Sequence, residues 1–161
     1  MKNMRFLDVL WILMMVAGLS GCTHFNYDID LYSDEEWIAG EGDTYSYVRR
    51  TMEITSGDLD LSFSGFYGKH TVWRIDASID GVLPVDILIQ GDLNGLYKIC
   101  LISPDKEVTV VAQGAGSFYR NLPVSPGRQY ITLVGHNASG KVVVRLGTDE
   151  ILEGINVQEI Y

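Results

Sequence analysis

From Thr44 onward, hydrophobic and polar residues alternate with a period of two over most of the chain. Between Trp73 and Ile79, for example, every second residue is apolar and the residues between them are Arg, Asp or Ser. Successive side chains of a β-strand point to opposite faces, so this alternation predicts strands with one buried and one solvated face. Strand-like runs cover residues 51–55, 59–64, 73–79, 85–90, 97–102, 108–113, 129–135, 141–146 and 155–160.

Turn-forming residues separate these runs. They lie at 80–81, 92–95, 125–127 and 137–140, and a glycine-flanked loop is predicted at 66–70. The Asp-Gly and Asn-Gly pairs among them suit tight hairpins. Without helices to cover it, the apolar face of a sheet must pack on another sheet. The sequence therefore predicts an all-β fold, an antiparallel β-sandwich of jelly-roll-like form with about nine strands.

The stretch before the strands has a different composition. Residues 22–43 are rich in Asp and Glu, yet they also contain Phe, Tyr and Trp. Ser33 and Glu36 have the spacing of a capping box, which predicts one helical turn before Gly40. We interpret residues 22–43 as an acidic tether or N-terminal extension, whose aromatic part packs on a sandwich domain of residues 44–161.

The N-terminus carries an apolar run between Phe6 and Gly18, preceded by Lys2 and Arg5 and interrupted only by Asp8. A helix of this length is shorter than the hydrocarbon core of a bilayer, which is about 30 Å thick. The run instead has the length of the apolar region of a signal peptide. Residues 1–21 are therefore predicted to be a signal peptide.

The run ends in Leu19-Ser20-Gly21-Cys22. This segment resembles the lipobox of bacterial lipoproteins, in which an aliphatic residue and two small residues precede a cysteine. The resemblance implies that a diacylglycerol is joined to the Cys22 thiol and that the chain is cut before Cys22. Two acyl chains make a stable membrane anchor. The protein is then expected on the cell envelope, at the outer membrane or on the outer face of the cytoplasmic membrane.

The charge of the chain bears on its partners, and its cysteine content bears on the role of Cys100. The net charge is −9, and because the signal peptide carries a net +1, the remaining chain carries −10. An acidic surface argues against nucleic acid as a partner. With Cys22 lipidated, Cys100 has no second cysteine in the chain and is interpreted as a buried structural thiol.

No pattern in the sequence indicates catalysis. The three histidines lack metal-ligand spacing, and no nucleophile elbow or phosphate loop is present. We predict that the protein is not an enzyme and has no cofactor. The oxygens of residues 58–60 and 92–95 would suit a structural calcium ion, although turn geometry alone also explains these residues.

Aromatic residues beside polar ones are the candidate ligand contacts. Tyr67 and Tyr119 lie in polar or glycine-rich surroundings, Arg120 follows Tyr119, and Trp37 lies in the acidic stretch. Such groups hold sugars or peptide segments in many binding sites. The alternative is that these aromatic residues close the ends of the hydrophobic core.

Residues 95–146 contain a glycine-bounded strand, Ser103-Pro104, and Pro126-Gly127-Arg128-Gln129-Tyr130. This order resembles extracellular β-sandwich modules of the bacterial pre-peptidase C-terminal type, which implies an accessory binding role.

The sequence thus predicts a lipid-anchored envelope protein with a non-catalytic module that binds a protein, peptide or glycan. One alternative is a structural or assembly lipoprotein of an envelope complex. The other is an extracellular glycan hydrolase or a carbohydrate-binding accessory protein.

Overall fold

A computed structural model describes residues 29–91, 95–147 and 154–160. The predicted signal peptide, Cys22 and part of the 92–95 turn lie outside the described residues. Over the described ranges, no helix is long and apolar enough to cross a membrane.

Two short helices precede nine strands in the part of the chain that the structure describes. The helices are α1 (Ile29–Ser33) and α2 (Glu35–Ala39). The strands are β1 (Thr44–Ser46), β2 (Arg49–Ile54), β3 (Asp58–Ala77), β4 (Gly81–Gln90), β5 (Leu96–Ile102), β6 (Val108–Gln113), β7 (Gly116–Val124), β8 (Gly127–Leu146) and β9 (Ile155–Glu159).

Strands β3 and β8 are long and pair with each other along both of their halves. The first half of β3 and the second half of β8 form sheet one, in the order β7–β4–β8–β3–β2. The other halves form sheet two, in the order β6–β5–β8–β3–β9. Every pairing is antiparallel, and β1 pairs with β3 between the two halves.

The main core lies between the two sheets. Leu59 and Leu61 from sheet one and Ile75 and Leu133 from sheet two belong to one buried apolar cluster. The Trp73 indole is fully buried and donates a hydrogen bond of 2.7 Å to the carbonyl of Thr55, which links the two halves of the molecule. The prediction of an all-β, antiparallel sandwich of about nine strands is confirmed.

Two predicted breaks between strands are wrong. Residues 66–70 are not a loop and residues 137–140 are not a hairpin turn, because β3 and β8 continue through them. Gly68 (φ +98°) and Asn137 (φ +52°) have left-handed backbone conformations, which bend the strands without ending their pairing. Residues that favour turns therefore mark the bends at which these strands pass from one sheet to the other.

Residues 29–43, which we call the strap, cross the outer face of sheet two. Ile38 and Tyr32 of the strap form a second buried cluster with Cys100, Ile102 and Val134 of the sheet. The strap also corrects the predicted capping box. The N-cap of α2 is Asp34, whose carboxylate accepts from the Trp37 amide at 2.9 Å, rather than Ser33, which is the last residue of α1.

Candidate functional site

The four predicted ligand residues do not form one site. Trp37 is half-buried in the strap, and Tyr67 lies in the bend of β3 with its ring 5.3 Å from the ring of His136. Trp37 and His136 border the same small space of about 10 Å³. Because the ring of Tyr67 contacts His136, the predicted residues Trp37 and Tyr67 lie in one region. Tyr119 and Arg120 lie far along the sheet order, on edge strand β7.

Tyr119 and Arg120 also point to opposite faces of β7, because neighbouring residues of a strand alternate. Tyr119 lies opposite Asp86 on the outer face of sheet one and is 58% exposed. The Arg120 guanidinium lies 5.5 Å from the centroid of the Phe118 ring, on the other side of the strand. These two residues therefore cannot contact one small ligand together.

The bend of β3 contains buried polar residues rather than an exposed binding loop. His70 is 2% exposed, and its Nδ1 lies 3.0 Å from the hydroxyl of Tyr47. The ring of Tyr45 stacks on His70 with centroids 4.1 Å apart. Burial lowers the pKa of His70 to about 4, although the negative charge of Asp43 opposes the shift. His70 is therefore neutral at pH 7.

A different part of the surface forms a groove. It lies between residues 38–43 of the strap and the turn between β5 and β6, and its volume is about 520 Å³. We call it the strap groove. Its lining residues are Ile38, Ala39, Gly40, Glu41, Gly42, Asp43, Thr71, Ile102, Ser103, Pro104, Lys106, Arg128, Tyr130 and Ile160. Pockets of about 300–1,000 Å³ are typical of small-molecule sites.

The floor of the strap groove is built by sheet two. Tyr130 lies opposite Ile102 in the β5–β8 pairing, and Thr71 lies opposite Thr132 in the β3–β8 pairing. Tyr130 is half-buried and packs against the apolar cluster beneath the strap. It thus offers a fixed aromatic surface together with a hydroxyl group.

Asp43 ties the strap to the floor. One of its carboxylate oxygens accepts from the Thr71 amide at 2.8 Å, and the other accepts from the Thr71 hydroxyl at 2.8 Å. Each carboxylate oxygen has a second lone pair with which it can accept from a ligand. Glu41 adds a further carboxylate to the same wall.

Arg128 supplies a positive charge at the end of the groove. Its Nε donates to Asp76 at 3.0 Å, and Asp76 also accepts from Arg74 at 2.8 Å. Hydrogen bonds from Arg128 and Arg74 lower the pKa of Asp76, and the bond to Asp76 raises the pKa of Arg128. One carboxylate thus holds both guanidinium groups on the outer face of sheet two.

Lys106 supplies a second positive charge from the opposite wall. It has a left-handed backbone conformation (φ +65°), and its amide donates to the Ser103 carbonyl at 3.0 Å. This tight turn places the exposed Lys106 between the groove and the acidic first turn of α2. The groove therefore contains two acidic and two basic side chains around one tyrosine.

The described residues contain no group of three or more His, Cys, Asp or Glu side chains placed to hold a metal ion. Asp58 and Asp60, predicted as candidate calcium ligands, pair with Arg145 at 3.2 Å and Lys141 at 3.0 Å. Asp92 and Asn94 lie outside the described residues. Cys100 is buried and unpaired, and burial raises its thiol pKa to about 11.

Reading the sequence alone missed the residues that line the groove. The sequence places Tyr130 in a strand and in the Pro126–Tyr130 motif, and Asp43 in the acidic extension, without indicating a site at either residue. One signal was present, since Arg128 and Tyr130 occupy alternate positions of a strand and must share a face. The approach of Asp43 to that face was not visible, because it depends on the path of the strap across sheet two.

No known family model and no curated protein matches this sequence. Solved structures with some likeness include the enzymatically active domain of bacteriophage CBA120 tailspike protein 4. It shares 13% identity over 74% of this chain and 19% of that one, with a TM-score of 0.37. This chain therefore spans about a fifth of that domain's length.

Two further structures are separate modules. A family 35 carbohydrate binding module from an environmental isolate has 13% identity over 72% of this chain and 83% of its own, with a TM-score of 0.37. The CBM22-1 xylan-binding domain of Paenibacillus barcinonensis Xyn10C has 8% identity over 76% and 90%, with a TM-score of 0.28. At such TM-scores these structures do not indicate what this chain binds.

Proposed function

We propose that this protein is a lipid-anchored component of a bacterial cell envelope whose β-sandwich is a non-catalytic binding module. In this proposal the ligand is a neutral saccharide held in the strap groove. The observation that carries the proposal is the groove itself, which places Tyr130 among both hydrogen-bond donors and acceptors.

The chemistry of the groove favours a sugar over a charged ligand. Glu41 and Asp43 balance Lys106 and Arg128, so the groove has no net formal charge. Saccharide hydroxyls both donate and accept hydrogen bonds, and carboxylates and cationic side chains offer the complementary groups. The face of Tyr130 offers an apolar surface for the C–H side of a sugar ring.

The binding test compares the two outer faces of the sandwich. The full chain in detergent would be titrated calorimetrically with cellotriose, xylotriose and chitotriose. We expect binding of at least one trisaccharide and a loss of about tenfold or more in affinity for Tyr130→Ala, because the aromatic surface is removed. Tyr119→Ala is the matched control on the other face, and it should bind as the wild type does.

Two results would contradict the saccharide site. One is the absence of binding to all three trisaccharides, and the other is an equal loss of affinity in both tyrosine variants. The non-catalytic part of the proposal is tested in the same samples. We expect the trisaccharides to be recovered uncut after prolonged incubation, whereas their cleavage would favour the hydrolase alternative.

The anchor is supported by the Leu19-Ser20-Gly21-Cys22 segment. Cells that express the chain would be labelled with radioactive palmitate. We expect the label to be lost in Cys22→Ala and retained in Cys100→Ala, because only Cys22 directly follows the predicted signal peptide. A label that persists in Cys22→Ala would remove the lipoprotein assignment.

A further inference from the structure

One wall of the strap groove is not part of the β-sheet. Residues 38–43 are the last two residues of α2 and the four residues after it, and none of them belongs to a described strand. The wall therefore depends on whatever fixes this short segment to sheet two. Three contacts do so, namely the buried Ile38 side chain, the Asp43–Thr71 hydrogen bonds and the side chain of Lys69.

Lys69 lies in β3, beneath the strap, and is only 4% exposed. Its ammonium donates to the carbonyls of Trp37 at 2.8 Å, Ile38 at 3.3 Å and Gly40 at 2.6 Å. An ammonium group has three donors, and all three have an acceptor here. The ammonium also lies 5.4 Å from the centroid of the Trp37 ring.

These three carbonyls belong to the last residues of α2 and to Gly40, in the turn where a helix leaves backbone acceptors without a full set of intrahelical partners. The Trp37 carbonyl also accepts from the Gly40 amide at 3.3 Å. A lysine near a helix C-terminus can satisfy such groups. Lys69 therefore sets the position at which the backbone leaves α2 and enters residues 40–43, which line the groove. Lys69 itself does not line it.

We propose that Lys69 is a positioning residue for the strap groove: its buried ammonium holds the groove wall against sheet two through the carbonyls of Trp37, Ile38 and Gly40. This inference rests on the proposed saccharide site. Ligand affinity then depends on a side chain that never contacts the ligand.

The chain offers a matched control. Lys98 is also buried, at 7% exposed, and lies in the same row of sheet two, because Val134 pairs with Lys69 on one side and Lys98 on the other. Its ammonium lies 4.6 Å from the centroid of the Tyr32 ring. Among the described residues it donates no hydrogen bond to a strap carbonyl, so it shares the burial of Lys69 without its contact to the groove wall.

The experiment combines two measurements on the full chain in detergent. Hydrogen exchange is followed at the amides of residues 35–42, and affinity is measured for whichever of the three trisaccharides binds most tightly. Lys69→Met keeps an apolar side chain of similar length but removes the ammonium as a donor to the three carbonyls. We therefore expect hydrogen exchange to accelerate and affinity to fall, each by about tenfold or more. Lys98→Met should change affinity by less than about twofold.

Each other outcome has a definite meaning. If Lys69→Met accelerates exchange but leaves affinity unchanged, the positioning role is wrong and the saccharide site stands. A fall in affinity without faster exchange, or an equal fall in Lys98→Met, also overturns it. If the wild type binds none of the trisaccharides, the proposed function and this inference fail together.

A second variant is used if Lys69→Met does not unfold cooperatively. Lys69→Gln keeps an amide donor, so it should give exchange rates and affinities between those of the wild type and those expected for Lys69→Met.

Discussion

The two outer faces of the sandwich both belong to five-stranded antiparallel sheets, but only that of sheet two is covered by the strap. On sheet one, Asp58, Arg145, Asp86 and Tyr119 lie in one row across four strands, and all four are exposed. On sheet two, the corresponding surface holds Lys69 and Lys98, which the strap largely buries. Sheet one thus leaves a row of polar side chains exposed, whereas the strap covers part of sheet two, buries a second apolar cluster there and borders a groove.

The difference shows that a short added segment can change the role of a sheet face. Fifteen residues with two five-residue helices cover part of sheet two. Their apolar contact is centred on Ile38, and their polar contacts use a buried lysine and Asp43. Because the strap covers only part of the face, residues 38–43 form one side of the strap groove, beside Thr71 and Tyr130.

The largest effect is expected from Ile38→Ala. Ile38 is fully buried between the strap and sheet two. Its truncation should cost about 2–4 kcal/mol of the free energy that holds the strap in place. Native-state hydrogen exchange at the Ile38 and Gly40 amides would measure this loss. Leu88→Ala, on the outer face of sheet one, should change the free energy of unfolding by about 0.5 kcal/mol or less. Equal losses of free energy in Ile38→Ala and Leu88→Ala would mean that the contact between the strap and sheet two is no more buried than the exposed face of sheet one.

An intermediate effect is expected from pH. His70 has a folded-state pKa of about 4, against an ordinary value of 6.5. Between these values the unfolded chain binds the proton and the folded chain does not, so the free energy of unfolding falls as the pH decreases from about 6.5 to 4, by about 3 kcal/mol. Urea unfolding at several pH values would measure it. In His70→Gln this part of the pH dependence should disappear; if the slope is unchanged, His70 is not its source.

The smallest effect is expected on the outer face of sheet one. Asp60 and Lys141 form an ion pair of 3.0 Å, but both side chains are more than a third exposed. Asp60→Asn should therefore cost less than about 1 kcal/mol in the free energy of unfolding, and less still at high salt. Urea unfolding with and without added sodium chloride tests this. A larger loss that persists in salt would show that the charges on this face are not merely solvated surface groups.

The core of the sandwich could be predicted from the sequence because it depends on local alternation. Leu83, Val85, Ile87 and Ile89 are all buried, as the period of two along β4 requires. The bends in β3 and β8 could not be predicted in this way. Gly68 and Asn137 favour a left-handed backbone whether a strand ends there or bends, and only the pairing of both halves of β3 with β8 distinguishes the two cases.

The candidate site was less predictable than the fold. Tyr119 and Arg120 are adjacent in sequence, yet they lie on opposite faces of an edge strand, and neither lies in the groove. Asp43 and Thr71 are 28 positions apart and bond directly. Adjacency in the chain is therefore a poor guide to a surface formed by the strap and residues of three strands.

The sequence by itself determined most of the antiparallel strands and of the buried residues, and it predicts a signal peptide that ends before Cys22. These features depend on composition and on spacing within a few residues. The tertiary structure alone decided that Lys69 is a buried partner of backbone carbonyls and that Tyr130 lies at a groove. The physical reason is that burial and hydrogen bonding of a side chain depend on which distant segment covers it, and the strap covers only one of the two outer faces.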